Sequence, residues 1–167
     1  MRFRSSSRLG NAAVVGLATL WALALGPARA AAQSSEASAS EASAASEVKE
    51  TLRAMWDAIE RGDLEAYAQH VHPDFTAFGE SDTYLAAGKE HEVRGIGEYL
   101  ERATGVHTEM HQPEVTVRGD VAWIVYYWTD SGYVEGQRFT SRGKSTRIFV
   151  REDGRWLCIH GHYTAVP

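Results

Sequence analysis

The sequence predicts an α+β fold, and three observations carry that prediction. Between Val48 and Leu100 the large apolar residues recur mainly at helical spacing. From Val106 onward they fall in long strand-like runs separated by Gly119-Asp120 and Asp153-Gly154. A length of 167 residues with 44% hydrophobic and 10% aromatic residues suits one packed domain and excludes repeat arrays and wholesale disorder. Helices first, then strands for them to cover, is the α+β arrangement.

The N-terminus reads as a targeting segment. Arg2, Arg4 and Arg8 precede an apolar run from Ala12 to Leu25, followed by Pro27 and Ala28-Arg29-Ala30-Ala31-Ala32. A basic head, a short apolar stretch and a small-residue site define a secretory signal peptide. The run is too short to span a bilayer, which takes about 20 residues. Residues 1–30 are therefore expected to be removed, with Ala32 the alternative cleavage point, leaving an exported, periplasmic or secreted protein without a stable membrane anchor. Removal takes four arginines and no acid, leaving 13 basic against 22 acidic residues. That balance argues against a nucleic-acid partner. Cys158 is the only cysteine, so no internal disulfide forms, and its apolar setting predicts a buried, inert thiol.

Residues 31–46 are almost entirely Ser, Ala and Glu, with no large apolar residue to bury, and are expected to form a disordered linker. The folded domain is expected over residues 47–167. Val48, Leu52, Met55, Trp56 and Ile59 share one helical face. Gly62 suits a left-handed cap, and Asp63 can cap a second helix with the stripe Leu64, Tyr67, Ala68 and Val71, stopped by Pro73. A short strand through Phe75 and Ala77 follows, then a short run at Tyr84–Gly88. Ile96, Tyr99, Leu100 and Ala103 mark a third helix closed by Gly105. Four strands complete the chain, at residues 106–118, 121–134, 138–151 and 155–166, joined as an antiparallel meander.

Several segments in this order resemble one superfamily. They are Glu60-Arg61-Gly62-Asp63-Leu64-Glu65-Ala66-Tyr67, Pro73-Asp74-Phe75-Thr76-Ala77-Phe78, Arg118-Gly119-Asp120-Val121-Ala122, and Asp153-Gly154-Arg155-Trp156-Leu157-Cys158-Ile159-His160-Gly161-His162. Together they resemble the nuclear transport factor 2-like superfamily, most closely SnoaL-like domains and the calcium/calmodulin-dependent protein kinase II association domain. The resemblance implies a cone-shaped fold, three N-terminal helices on a strongly curved, mainly antiparallel sheet, with a cavity between them. It places Arg147 on the cavity wall and Tyr163 near its end, and it puts Trp128 where the kinase domain has another arginine. Family members isomerise, dehydrate, cyclise, bind or merely assemble, so the fold alone selects no activity.

Strand alternation sorts the site candidates. Ala122, Ile124, Tyr126 and Trp128 share one face, and Trp123, Val125 and Tyr127 the other. Tyr126 and Trp128 are expected inside, with Arg147, Tyr163, Trp56, Phe75 and Tyr99 completing a ligand-binding set. Arg147 can fork a carboxylate or oxyanion, or pair with a helix acid. His107 and His111, with Glu109 between them, are the candidates for proton transfer in the cavity. His160-x-His162 and His70-x-His72 have suggestive spacing, but zinc needs three or four converging ligands, and neither a metal nor a cofactor is expected. Steroid-isomerase chemistry is disfavoured, because the resemblance sets Met55 at the donor tyrosine's place and Gly79 at the base aspartate's.

Three functions follow as expectations. The first is a small-molecule-binding, self-associating domain, a homodimer or larger, for an amphipathic ligand with an anionic or carbonyl end. The second is a SnoaL-like acid–base enzyme, and the third a structural oligomerisation domain. Whether the chain is an enzyme stays open at this point.

Overall fold

The computed structural model describes residues 26–80 and 82–167. The signal-peptide reading of residues 1–25 lies outside the described residues. The chain divides into two compact units, Met1–Glu36 and Ala37–Pro167. Of the first, residues 26–36 are described and are helical. The second unit carries the sheet, the core and the cavity. Among the described residues no helix is long and apolar enough to cross a membrane.

The elements run α1 (Gly26–Glu60), α2 (Leu64–Ala68), β1 (Val71–Phe78), β2 (Ala86–Ala87), α3 (Lys89–Leu100), β3 (Ala103–Arg118), β4 (Val121–Val134), β5 (Gln137–Glu152) and β6 (Arg155–Ala165). They form one open six-stranded sheet in the order β2-β1-β6-β5-β4-β3. All neighbours are antiparallel except β1 and β6, which pair in parallel. The result is an α+β fold of helices on a mixed, mainly antiparallel sheet.

The corner at Gly62-Asp63 forms as its chemistry dictates. Gly62 sits at φ 71°, its N–H reaches Ile59 O at 2.9 Å, and Asp63 N–H reaches Ala58 O at 2.8 Å. This pair of bonds satisfies the last carbonyls of α1. Asp63 Oδ1 then accepts the Ala66 N–H at 2.9 Å, capping α2.

Three expectations are corrected. The Ser/Ala/Glu-rich stretch, expected to be a disordered linker, is helical and continuous with α1. Ala and Glu are strong helix formers, and the segment does have somewhere to dock, since Ala44 is buried in the core and Ala45 packs against it. The second helix is shorter than its stripe suggests. It ends at Ala68, and Val71 opens β1 as a buried strand residue. Pro73 stands inside β1, where the pairing with β6 shifts between Val71 and Thr76; a residue with no N–H is tolerated at such an interruption. Lastly, Ala103 belongs to β3 rather than to the third helix, which ends at Leu100.

Bulges set which side chains face inward. The β3–β4 register shifts between His111 and Glu114, where Gln112 adopts φ 50° and Pro113 follows. An extra residue bends the strand and reverses its parity, so Thr108 and Met110 face in on one side of the bulge and Val115 and Val117 on the other. Ile159 does the same in β6, between the pairs Ile148↔His160 and Phe149↔Cys158. The core beneath is built from Val48, Leu52, Met55 and Ala58 of α1 against Ile124, Tyr126, Phe149, Trp156 and Cys158 of the sheet.

Candidate functional site

Above this core the helices and sheet leave a cavity of about 160 Å³. At about 30 Å³ of liquid per molecule that is room for roughly five waters, or a short organic chain. Trp56 and Ile59 of α1 and Ile96 and Tyr99 of α3 form its helical side. The sheet supplies Val106, Thr108, Tyr126, Trp128, Asp130, Ser145, Arg147 and Tyr163. Of the seven residues expected to bind ligand, six therefore meet in one place: Arg147, Trp128, Tyr126, Tyr163, Trp56 and Tyr99. Phe75 is the exception, fully enclosed in the core below and not a lining residue. The Trp56 and Tyr126 rings meet edge to face at 5.4 Å between centroids, which fixes one wall.

Two glycines make room for the largest wall residues. Trp128 pairs across the sheet with Gly143, and a Cβ on Gly143 would overlap the indole. Arg147 pairs with Gly161, and a Cβ there would overlap Nη1 and stand 2.9 Å from Cζ. The guanidinium thus lies flat across the bare backbone of β6. Neither glycine figured among the expected site residues, because a residue that acts by lacking a side chain leaves no chemical signature.

Arg147 has no acid at its side. Among the described residues no carboxylate lies within 4.0 Å of it, so the alternative of a helix-acid salt bridge is not realised. Its Nε is shut off from solvent and makes no hydrogen bond. Burial works against the positive charge, but the groups around it, Tyr126, Cys158, Tyr67 and Glu92, raise its pKa overall, and of these Glu92 is the carboxylate. Glu92 is occupied by the Tyr67 hydroxyl, which donates to Oε1 at 2.6 Å. The Cys158 thiol is pushed up to about 11, chiefly by burial, so it stays protonated and inert as expected from its setting.

The opposite end of the cavity is acidic. Asp130 faces Thr108 across the β3–β4 ladder, and the Thr108 hydroxyl donates to Oδ1 at 3.3 Å. Burial raises the Asp130 carboxyl from its ordinary range. Tyr99, pushed up to about 12 first by burial and then by Asp130, keeps a buried hydroxyl with no partner. Asp130 was missed at the level of sequence, although it stands two residues beyond Trp128 and shares its inward parity.

The expected proton-transfer residues do not enter the cavity. His107, Glu109 and His111 lie on the outer face of β3, on the opposite parity to Thr108. His107 bridges Glu60 at 3.2 Å and Glu109 at 3.5 Å, and His111 Nε2 meets the Thr129 hydroxyl at 2.9 Å. Two further histidines have hydrogen-bonding protein partners. His72 is held by Glu152 and the Asp74 N–H, and His160 by Thr76. The Ile159 bulge turns His160 away from Cys158's face. Among the described residues no three His, Cys, Asp or Glu side chains converge as for a metal ion.

Helices packed on an open, mainly antiparallel six-stranded sheet are the cystatin-like α+β arrangement. Within that class the chain belongs to the SnoaL-like domain family, whose profile matches residues 48–167. Solved structures agree. A dehydratase candidate of the nuclear transport factor 2-like family from Streptomyces avermitilis superposes with a TM-score of 0.69 at 17% identity, over 75% of this chain and 97% of that one. The association domain of C. elegans CaMKII gives 0.63 at 27%, over 75% of this chain and 98% of that one. A protein with a cystatin-like fold from Caulobacter vibrioides gives 0.63 at 20%, over 73% and 89%.

Two measurements follow from this geometry. Replacing Gly161 with Ala is expected to force Arg147 off β6, seen as a displaced guanidinium in the variant's crystal structure; an unmoved side chain would contradict the close approach. Glu60, through its hydrogen bond and charge, raises His107 above the usual imidazole value of about 6.5. The His107–Glu60 contact is therefore complete below that value and is lost as pH rises through the folded-state pKa. An NMR titration should place His107 above its value in the Glu60→Gln variant.

Proposed function

We propose that this is an exported, self-associating binding domain whose cavity takes a small amphipathic molecule with an anionic or carbonyl end. The observation that carries the reading is Arg147: a buried-Nε guanidinium with no protein carboxylate, aimed into a hollow walled by Trp56, Tyr126 and Trp128. An oxyanion in the cavity would meet the Arg147 guanidinium as a charge-assisted hydrogen bond, worth about 1.5–3 kcal/mol. The aromatic walls supply the apolar contact that orients the rest of the molecule. Because His107, Glu109 and His111 stand outside the hollow, ligand holding has the stronger support over acid–base turnover by those residues.

Self-association through the outer face of the sheet is supported by what β4 exposes. Trp123, Val125 and Tyr127 are 37%, 41% and 51% accessible and adjoin a groove of about 730 Å³ formed with Lys144, Thr146 and His162. Apolar rows of this kind mark interaction surfaces more often than solvated ones. The likeness to a CaMKII association domain supports the same reading. Export rests on the basic head and apolar run of residues 1–30 alone.

For the cavity, pentanoate serves as probe. Arg147→Ala is expected to weaken its binding by about 1.5–3 kcal/mol in calorimetry, the value of a charge-assisted hydrogen bond; unchanged affinity would overturn the assignment. For the surface, light scattering should give a mass above that of the monomer, reduced by Trp123→Glu with Val125→Glu. A strict monomer at high concentration would remove self-association.

A further inference from the structure

The cavity has a second pole. Asp130 enters it from β4 and Tyr99 from α3, at the end away from Arg147. Arg147 pairs with Ile124 across the sheet, and Asp130 lies six residues further along the same strand. At about 3.3 Å per residue this is roughly 20 Å of backbone, shortened by the bend and by the reach of the arginine.

The charges around the second pole are out of balance. Glu60 and Glu109 both bind His107, one at each ring nitrogen, so the imidazole that acts on Asp130 is itself taken by two acids outside the cavity. Among the described residues no Lys, Arg or His stands within 4.0 Å of Asp130. Its hydrogen bonds come from neutral groups, the Thr108 hydroxyl and the Ser131 backbone N–H. The Tyr99 hydroxyl, buried in the same wall, has no partner at all. A half-buried carboxylate with no cation at its side, next to an orphaned phenol, is matched in both charge and hydrogen bonding by an ammonium group.

We infer that the ligand is a small zwitterion, an amino acid-like chain whose anionic end lies on Arg147 and whose ammonium end lies between Asp130 and Tyr99. This rests on the binding reading above and adds to it the chemistry of the far end. The aromatic rings between the poles suit a plain methylene chain, and Trp128 and Tyr126 would flank it.

The test compares straight-chain ω-amino acids of about five to eight carbons with unsubstituted carboxylates of equal length, by calorimetry on the folded protein. For the chain length that fits, the amino acid is expected to bind roughly ten- to a hundred-fold more tightly than its carboxylate, the range of a charged hydrogen bond. Asp130→Asn should erase that preference, and Tyr99→Phe should reduce it; circular dichroism checks that both variants fold. Equal binding of amino acid and carboxylate at every length, or a preference that survives Asp130→Asn, overturns the inference. If carboxylates bind through Arg147 but the amine adds nothing, only the second pole falls. If no probe binds and Arg147→Ala changes nothing, the binding reading falls with it.

Discussion

The guanidinium of Arg147 lying across Gly161 is the contact on which the cavity depends. A cation can remain inside a small α+β domain only if something nearby favours its charge, and here the carboxylate that does so is Glu92, without a direct ion pair. A direct carboxylate would have filled the space beside Arg147 and neutralised it. A side chain at position 161 would have filled it from the other strand. The hollow persists because both are missing, and the bare stretch of β6 opposite Arg147 is the structural reason.

The two faces of the sheet divide the work. On β4 the inward row, Ala122, Ile124, Tyr126, Trp128 and Asp130, passes from full burial in the core to the acidic end of the cavity. The outward row, Trp123, Val125 and Tyr127, is left accessible. The same strand therefore anchors the core, walls the site and presents an apolar exterior, through nothing more than the period of two that any extended chain has. Bulges at Gln112-Pro113 and Ile159 reverse that period locally. They allow β3 and β6 to keep facing the core below while presenting Thr108 and Gly161 to the hollow above.

Much of this was legible from residue pattern, and the failures have physical causes. Gly62-Asp63, Gly119-Asp120 and Asp153-Gly154 mark the corners because each turn needs a conformation only such residues adopt easily. Parity on β4 placed Tyr126 and Trp128 correctly, since nothing interrupts that strand. It failed on β3, where the sidedness of His107 and His111 relative to the cavity follows from a fold-level register that spacing alone does not contain. The packing of the Ser/Ala/Glu stretch leaves no trace in residue pattern, because the segment has no large apolar residue and Ala44 packs by being small. Val71 fits a helical stripe and a buried strand equally well, and only the distant pairing with Cys158 decides between them. Asp130 was within reach of the parity argument that found Trp128.

The position of β6 in the sheet has its own consequence. It is the last strand in chain order, yet it stands between β1 and β5 and joins the β2-β1 ribbon to the β5-β4-β3 meander. Until those residues leave the ribosome, the two halves share no strand neighbour, and the arginine has no backbone to rest on. Productive closure must therefore wait for β6 and span most of the domain, a long-range step that favours slow folding. The partly made chain would meanwhile present open edges on β1 and β5, the kind of surface that draws chaperones and stray strands alike.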